Sequence, residues 1–468
     1  MKSGKSVAQN FLALGSGEII SRLISFGVTI YIARILGADN YGVIAFALGI
    51  NLYMGKLADF AIEWVGTKEI SKNRDSFIPL ASAIMGARTA LAIILMIVAI
   101  FLTQWILPQP ERTILTLYLL TMIPVSMNCK WIHMGLENAK PVSLSRIAGE
   151  ILGLIIVLLV MTQASRLWVP PAAMIASESL AAILLFITIR TRGYKIRFNI
   201  NLKKSLPIFK AALPILVHLL LGLLIYNSDL IFLRMFRDSE HVGYYAAAYM
   251  LISFINNIGL SYGMSLLPAL TRFGVGSRDQ KELYQQSIAI IYAVCLPISI
   301  GGFFLAGPII ELTFGNQYTA SIFILQVLIW SLPVSMFRNA PWAALIAHER
   351  QDLLMKAIIM AAIFNIILNI LLIPEYGMLG AAAATIITES IICTLMFRYA
   401  HQNKLPFINV SRFLRPTVAG IVMAFAIYAF ASSNIILDFF IGSFSYIFVL
   451  VILGVIQFRK GKLPLLKL

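Results

Sequence analysis

Runs of about twenty mostly apolar residues alternate with short polar connections from Phe11 almost to the C-terminus. A hydrocarbon layer about 30 Å thick is crossed by a helix of that length. A helix also satisfies its own backbone where lipid cannot. The pattern predicts an all-α polytopic membrane protein with about fourteen transmembrane helices. They fall near 11 to 33, 41 to 60, 78 to 106, 113 to 134, 147 to 164, 170 to 190, 211 to 233, 243 to 267, 285 to 306, 321 to 345, 356 to 373, 379 to 397, 416 to 433 and 439 to 457. Residues 1 to 33 resemble a signal peptide in placing two lysines before an apolar run. Glu18 and Arg22 interrupt that run and no small-residue cleavage site follows, so it reads as a retained first helix.

Several spans carry polar residues at steps of three and four, which places them on one helical face. Span one has Gly15, Glu18, Arg22, Ser25 and Thr29, and span two has Lys56, Asp59 and Glu63. Span seven has His218, Gly222, Tyr226 and Asp229, span eight Tyr249, Ser253 and Asn256, and span ten Ser331, Ser335, Arg338 and Trp342. Lipid rejects such faces, so they are expected to line a shared interior. A charge at membrane depth costs at least about 2.5–3.5 kcal/mol, and each one asks for a partner, a wet cavity or a substrate. Glu18 with Arg22, and Lys56 with Asp59, are close enough along one helix to neutralise each other. Arg88, Lys130 and Arg338 have no carboxylate three or four residues away in their own spans, which points to a ligand or an interhelical partner. Snorkelling is the competing account for Arg88 and Lys130. Glu178 and Glu389 are either repeated structural anchors or groups that titrate in ion coupling. His218 reads as a cavity or packing residue.

Composition agrees with a membrane protein: 59% of the residues are apolar and 12% charged, against about 45–50% and about 25% in soluble domains. A net charge of +16 suggests nucleic acid in a soluble protein, but the positions of the 37 Lys and Arg give another meaning. With the N-terminus inside, twenty-seven of them lie in inner segments, five in outer loops and five in the spans. That bias is the positive-inside signature and places both termini in the cytoplasm. Cys129, Cys295 and Cys393 lie in apolar spans without metal spacing, so no disulfide framework, metal site or cofactor is expected. Gly259-Leu260-Ser261-Tyr262-Gly263 fits a nucleophile elbow, but no strand precedes it. Its glycines, like Gly149 and Gly153, read better as a small-residue packing motif. No phosphate-binding glycine loop is present, and no segment outside the spans is long enough for a catalytic domain.

The first six spans and spans seven to twelve repeat. Pro124-Val125-Ser126-Met127 returns as Pro333-Val334-Ser335-Met336, followed in turn by Trp131 and Trp342. Glu137 parallels Glu349, Glu178 parallels Glu389, and Arg34 with Tyr41-Gly42 parallels Arg234 with Gly243-Tyr244. Six spans return the chain to its starting side, so the repeat is parallel. The domains expected are a six-helix lobe over 1–190, a basic cytoplasmic linker over 191–210, a second six-helix lobe over 211–400, and helices thirteen and fourteen with a basic tail over 401–468. Pro124 and Pro333 free a backbone carbonyl and bend their helices, as a hinge or as a fixed kink.

Ala33-Arg34-Ile35-Leu36-Gly37, Tyr41-Gly42 and Thr67-Lys68-Glu69-Ile70 resemble the opening of the polysaccharide-transport family, which includes the O-antigen flippases. Asn369-Ile370-Leu371-Leu372-Ile373-Pro374, Tyr376-Gly377, Gly380-Ala381-Ala382 and Ala384-Thr385 strengthen the likeness, which spans nearly the whole chain. Asp59-Phe60-Ala61 departs from it, with Ala where relatives often have Gly. The resemblance implies two six-helix lobes around a central cavity, shared with multidrug exporters and lipid II flippases of one superfamily. It also implies an undecaprenyl-pyrophosphate-linked oligosaccharide as cargo, moved from the inner to the outer leaflet of the cytoplasmic membrane. Membrane lipid and other polysaccharide-assembly proteins are the expected partners. For such a cargo Arg22, Lys56, Arg88, Lys130 and Arg338 are the candidate diphosphate ligands, because Arg and Lys replace hydration lost in a low-dielectric cavity. Glu18, Asp59, His218, Asp229, Glu178 and Glu389 are candidate cavity or ion-coupling groups. A cation-coupled drug antiporter of the same fold would rely on those carboxylates instead, and an integral-membrane polymerase would need a large outer loop.

Overall fold

The computed structural model describes residues 2–72, 74, 76–430, 434–457 and 465–466, with side chains from residue 15 to residue 455. Arg459, Lys460, Lys462 and Lys467 of the basic tail lie outside the described residues, as do the side chains of Lys2 and Lys5. The helices in order are α1 (Lys2–Asp59), α2 (Ile62–Lys72), α3 (Ile78–Ile106), α4 (Glu111–Leu119), α5 (Met122–Met127), α6 (Lys130–Gly135), α7 (Ala139–Val160), α8 (Val169–Thr191) and α9 (Leu202–Phe236). They continue with α10 (Ser239–Arg272), α11 (Arg278–Phe304), α12 (Ala306–Thr313), α13 (Ser321–Leu328), α14 (Ser331–Phe337), α15 (Asn339–Ala347), α16 (Gln351–Tyr376), α17 (Met378–Gln402), α18 (Ser411–Ala429) and α19 (Ile435–Ile452). The described strands are one two-residue antiparallel pair, Ile456–Gln457 with Leu465–Leu466.

Among the described residues, twelve helical stretches are long and apolar enough to cross a membrane. The first contains Gly37 at φ 74°, a backbone conformation that glycine adopts without a Cβ penalty, and this residue divides α1 into two legs. α4, α5 and α6 follow one another over Glu111–Gly135 and supply one more stretch of spanning length. Together these account for fourteen spans. α16 and α17 are likewise joined by one residue, Gly377, at φ 57°.

The chain divides into two compact units, Met1–Leu223 and Leu224–Leu468. The boundary falls inside α9. In the first unit Ile62, Ile70, Phe77, Ile84, Trp131 and Ile132 form a buried core joined by Ala212 and Leu216 of α9. In the second, Leu266, Tyr284, Ile288, Met336 and Ala340 form one core, and Ile300, Met423, Ile427 and Tyr446 gather α11, α18 and α19 into another.

The repeated sequence has repeated local structure. Spans four and ten are each broken twice, into α4–α6 and α13–α15. Pro124 and Pro333 are each the third residue of the middle piece, where a first-turn proline gives up no intrahelical bond. Thr121 Oγ1 bonds the Tyr118 carbonyl (2.7 Å) at one break, and Ser331 Oγ bonds the Leu328 carbonyl (2.7 Å) at its counterpart. Beyond α6 and α15, Glu137 and Glu349 take φ 56° and 58°. Asn138 N then bonds His133 O (2.9 Å), and Arg350 N bonds Leu345 O (2.8 Å).

The paired glycines serve packing, as expected. A Cβ on Gly149 would lie 2.7 Å from the Ser177 carbonyl oxygen, and one on Gly259 would lie 2.9 Å from Met336 Cγ.

Candidate functional site

Arg22, Arg88, Lys130 and Arg338 each meet a carboxylate, and for the last three it comes from another helix. In the first unit Glu18 accepts from Arg22 Nε (2.7 Å) and, through its other oxygen, from Arg146 Nη1 of α7. Ser25 Oγ donates to Glu150 Oε2 (3.2 Å), so the polar face of α1 is matched by Arg146 and Glu150 on α7. Glu178 of α8 lies within electrostatic reach of Glu150, Arg146 and Lys130. All these groups are half-buried or exposed within the unit. They form a charged network open at its surface rather than a sealed core.

Deeper in the same unit Arg88 is 1% exposed. Its Nη2 donates to the Val125 carbonyl at the break between α5 and α6 and lies 3.6 Å from Asp59 Oδ1. Nε and Nη1 have no hydrogen-bond partner among the described residues. This burial rules out snorkelling for Arg88. Lys130 does not snorkel free either, because its Nζ sits 2.6 Å from Glu63 Oε1. The expected Lys56–Asp59 pair is absent. Phe60 and Ala61 turn left-handed at φ 52° and 56°, the helical face ends at Asp59, and that carboxylate turns to Arg88. Lys56 forms no ion pair among the described residues. At Ala61 this turn carries a Cβ penalty that glycine would avoid. His218, half-buried on α9, makes no hydrogen bond among the described residues.

The second unit holds two polar clusters, one half-buried and one fully buried. Arg338 donates through Nη2 to Tyr226 OH and through Nε to Ser335 O (3.1 Å), and its guanidinium stands 5.4 Å from the centre of the Tyr226 ring. Glu389 Oε2 lies 3.2 Å from Nε, an ion pair without hydrogen-bond alignment. In each unit, then, an arginine, fully buried at Arg88 and half-buried at Arg338, takes a backbone carbonyl at a break in the repeated helix and has a carboxylate beside it.

The other cluster surrounds Asp229. Asn369 Nδ2 donates to Oδ1 (2.7 Å), while Thr385 Oγ1 (2.5 Å) and Tyr245 OH (2.8 Å) donate to Oδ2. Ser228 Oγ donates to Asn365 Oδ1 (2.8 Å), and Asn365 Nδ2 reaches Thr388 Oγ1 (3.4 Å). All seven residues are buried. The donors to the carboxylate are neutral, and no cation pairs with it among the described residues.

Eight of these partners escaped the sequence reading of the site: Arg146, Glu150, Ser228, Tyr245, Asn365, Asn369, Thr385 and Thr388. Arg146 and Glu150 flank the predicted start of span five. Extending the three-and-four spacing one turn earlier would have put both on one face. Asn365, Asn369 and Thr385 belong to a stretch read for its family resemblance, and their spacing on α16 and α17 is the signal for a shared polar seam. No group of three or more His, Cys, Asp or Glu suited to a metal ion occurs among the described residues.

The fold is similar to a lipid II flippase in an inward closed conformation, with TM-score 0.78 and 14% identity over 94% of this chain and 98% of that one. It is also similar to an inward-facing multidrug resistance transporter of the MATE family, with TM-score 0.61 and 14% identity over 82% and 94%. These likenesses fix the two-lobed, multi-pass membrane fold. In sequence the chain is 20% identical to a protein of Escherichia coli (strain K12) named as an O-antigen transporter, over 80% of this chain and 92% of that protein. It is 23% identical to the capsular polysaccharide biosynthesis protein CapF of Staphylococcus aureus, over 85% and 100%. The model of the polysaccharide biosynthesis protein family matches residues 7–274. With more than half its length matched by that model, the chain belongs to the polysaccharide biosynthesis protein family.

Proposed function

We propose that this protein is a flippase that carries a lipid-linked oligosaccharide, with an undecaprenyl-pyrophosphate anchor, from the cytoplasmic to the outer leaflet by alternating access. The cytoplasmic membrane is its site, and both termini face the cytoplasm. Its work is transport rather than bond making.

One observation carries the reading: guanidiniums from two helices, Arg22 on α1 and Arg146 on α7, converge on the single carboxylate of Glu18. Two cationic forks closing on one anionic group are the geometry that a diphosphate needs. Glu18 acts as a stand-in anion that keeps both arginines deployed, and cargo takes its place by partner exchange. Lys56 supports the exchange as the candidate cation without an ion pair among the described residues. Lys130 and Arg338 take part by releasing Glu63 and Glu389. Arg88, fully buried on Asp59 and a helix break, positions the neighbouring helices.

Among Glu18, Asp59, His218, Asp229, Glu178 and Glu389, Asp229 alone combines full burial with a carboxylate held only by neutral donors. A proton or a cation from solution balances such a charge, which supports Asp229 as the coupling group. A drug antiporter of the same fold needs carboxylates open to a cationic substrate, whereas Glu18 and Asp59 already face arginines. The test is binding of an undecaprenyl-pyrophosphate sugar to purified protein. Arg22→Ala and Arg146→Ala should weaken it, while Glu18→Gln should leave it intact or tighten it. Unchanged binding in both arginine variants would end this assignment.

A further inference from the structure

The segment between Glu178 and Asp229 contains Arg190, Arg192, Lys195, Arg197, Lys203, Lys204 and Lys210 and no acidic residue. Part of it is not a loose connection. Tyr194 packs edge-on against Phe77 with ring centres 5.1 Å apart, and Ile196 is buried. Arg197 N then donates to Ser82 Oγ (3.1 Å) and Asn199 N to Ser82 O (3.3 Å). The segment lies so close to α3 that a Cβ on Gly86 would meet the Asn199 backbone at 2.6 Å. With its backbone pinned, the segment leaves Lys195, Arg197 and Lys203 exposed beside the equally exposed Phe198, Ile200 and Leu202. Phe198 and Ile200 also line an open, largely apolar groove of about 390 Å³, together with Gly86, Thr89, Ala90, Ile93 and Met127.

We propose that this groove and the cations around it form a binding site for an anionic glycerophospholipid of the cytoplasmic leaflet, one acyl chain in the groove and its phosphate on Arg197, Lys195 and Lys203. The inference rests on the cytoplasmic placement of the linker given above. Charge complementarity selects the occupant: seven cations without one acid match a leaflet rich in anionic headgroups, where basic segments at the membrane surface bind. The cargo's single diphosphate would use few of them. An apolar slot opening beside fixed cations matches one lipid molecule, held by chain burial and by charge together. Bound there, the lipid would brace the linker against α3.

The experiment uses the full-length protein in nanodiscs of phosphatidylglycerol and phosphatidylethanolamine, followed by native mass spectrometry of retained lipid, with no cargo present. The wild type should keep phosphatidylglycerol in preference to phosphatidylethanolamine. Lys195→Gln/Arg197→Gln/Lys203→Gln should weaken that retention roughly a hundredfold, each cation near an anionic leaflet counting for about a factor of five. Ala90→Trp, which fills the groove, should abolish it. If Ala90→Trp fails to fold, judged by monodispersity and melting, Ile200→Ser on the exposed segment gives the same reading. Equal retention of the two lipids, or undiminished phosphatidylglycerol on the triple variant, overturns the site. So does complete displacement of phosphatidylglycerol by undecaprenyl phosphate, which would assign the groove to the cargo tail. Because no transport is measured, the flippase reading stands or falls separately.

Discussion

Glu349 repeats the backbone of Glu137: both are non-glycine residues in the left-handed region, at φ 58° and 56°, and each closes the same hydrogen-bonded turn after a broken helix. Their difference lies in the side chains. Glu137 pairs with Arg74, whereas Glu349 is exposed and has no ion pair among the described residues.

Glu349→Gly should therefore raise stability by about 0.5–1 kcal/mol, since glycine takes this conformation without strain. Glu137→Gly should gain less because it also loses Arg74. Thermal unfolding of the two purified variants, compared with wild type, measures the difference. A lower melting temperature for Glu349→Gly would contradict the assigned turn.

Removing one member of the Arg338–Glu389 pair should cost about 3–5 kcal/mol by leaving a buried charge alone. Arg338→Met/Glu389→Leu should recover most of that stability. Surface polysaccharide should not recover with it, if Arg338 meets the cargo. Abundance on membranes and complementation of a flippase-deficient strain separate the two effects, and full export by the double variant would reduce the pair to a structural role.

At the first unit, Lys56→Ala and Arg146→Ala should each lower export while leaving abundance unchanged, because both side chains stand on open faces where truncation leaves no cavity. Arg88→Ala should instead lower abundance, as it strips the Val125 carbonyl and Asp59 of a buried partner. Immunoblotting beside polysaccharide staining distinguishes them.

Asp229→Asn keeps the shape of the buried cluster but removes its charge. Export by that variant should lose its dependence on an imposed ion or proton gradient in liposomes. Gradient-driven export unchanged from wild type would move the coupling role elsewhere.

The spans were legible because apolar length is a local property, and the repeat because the same turn recurs with the same residues. The partners of the charges were not. Spacing of three or four finds neighbours on one helix, so Glu18 and Arg22 were paired correctly. Asp59 with Arg88, Glu63 with Lys130 and Glu389 with Arg338 depend on which helices pack together. Lys56 and Asp59 failed as a pair for a local reason: two consecutive left-handed residues stop the helix after Asp59, and no glycine there announces the turn.

Gly37 and Gly377 are each the whole of a connection between two spans. A joint of one residue leaves its helices almost no freedom to slide or separate, so any motion within each pair is confined to rotation about that glycine. For a transporter this reduces the number of independent moving parts. It also removes places where a protease, an antibody or an inserted tag gains a hold. Splitting the chain or lengthening it at either glycine should therefore be far less tolerated than at the longer connections, and the motion that carries cargo has to be sought in those.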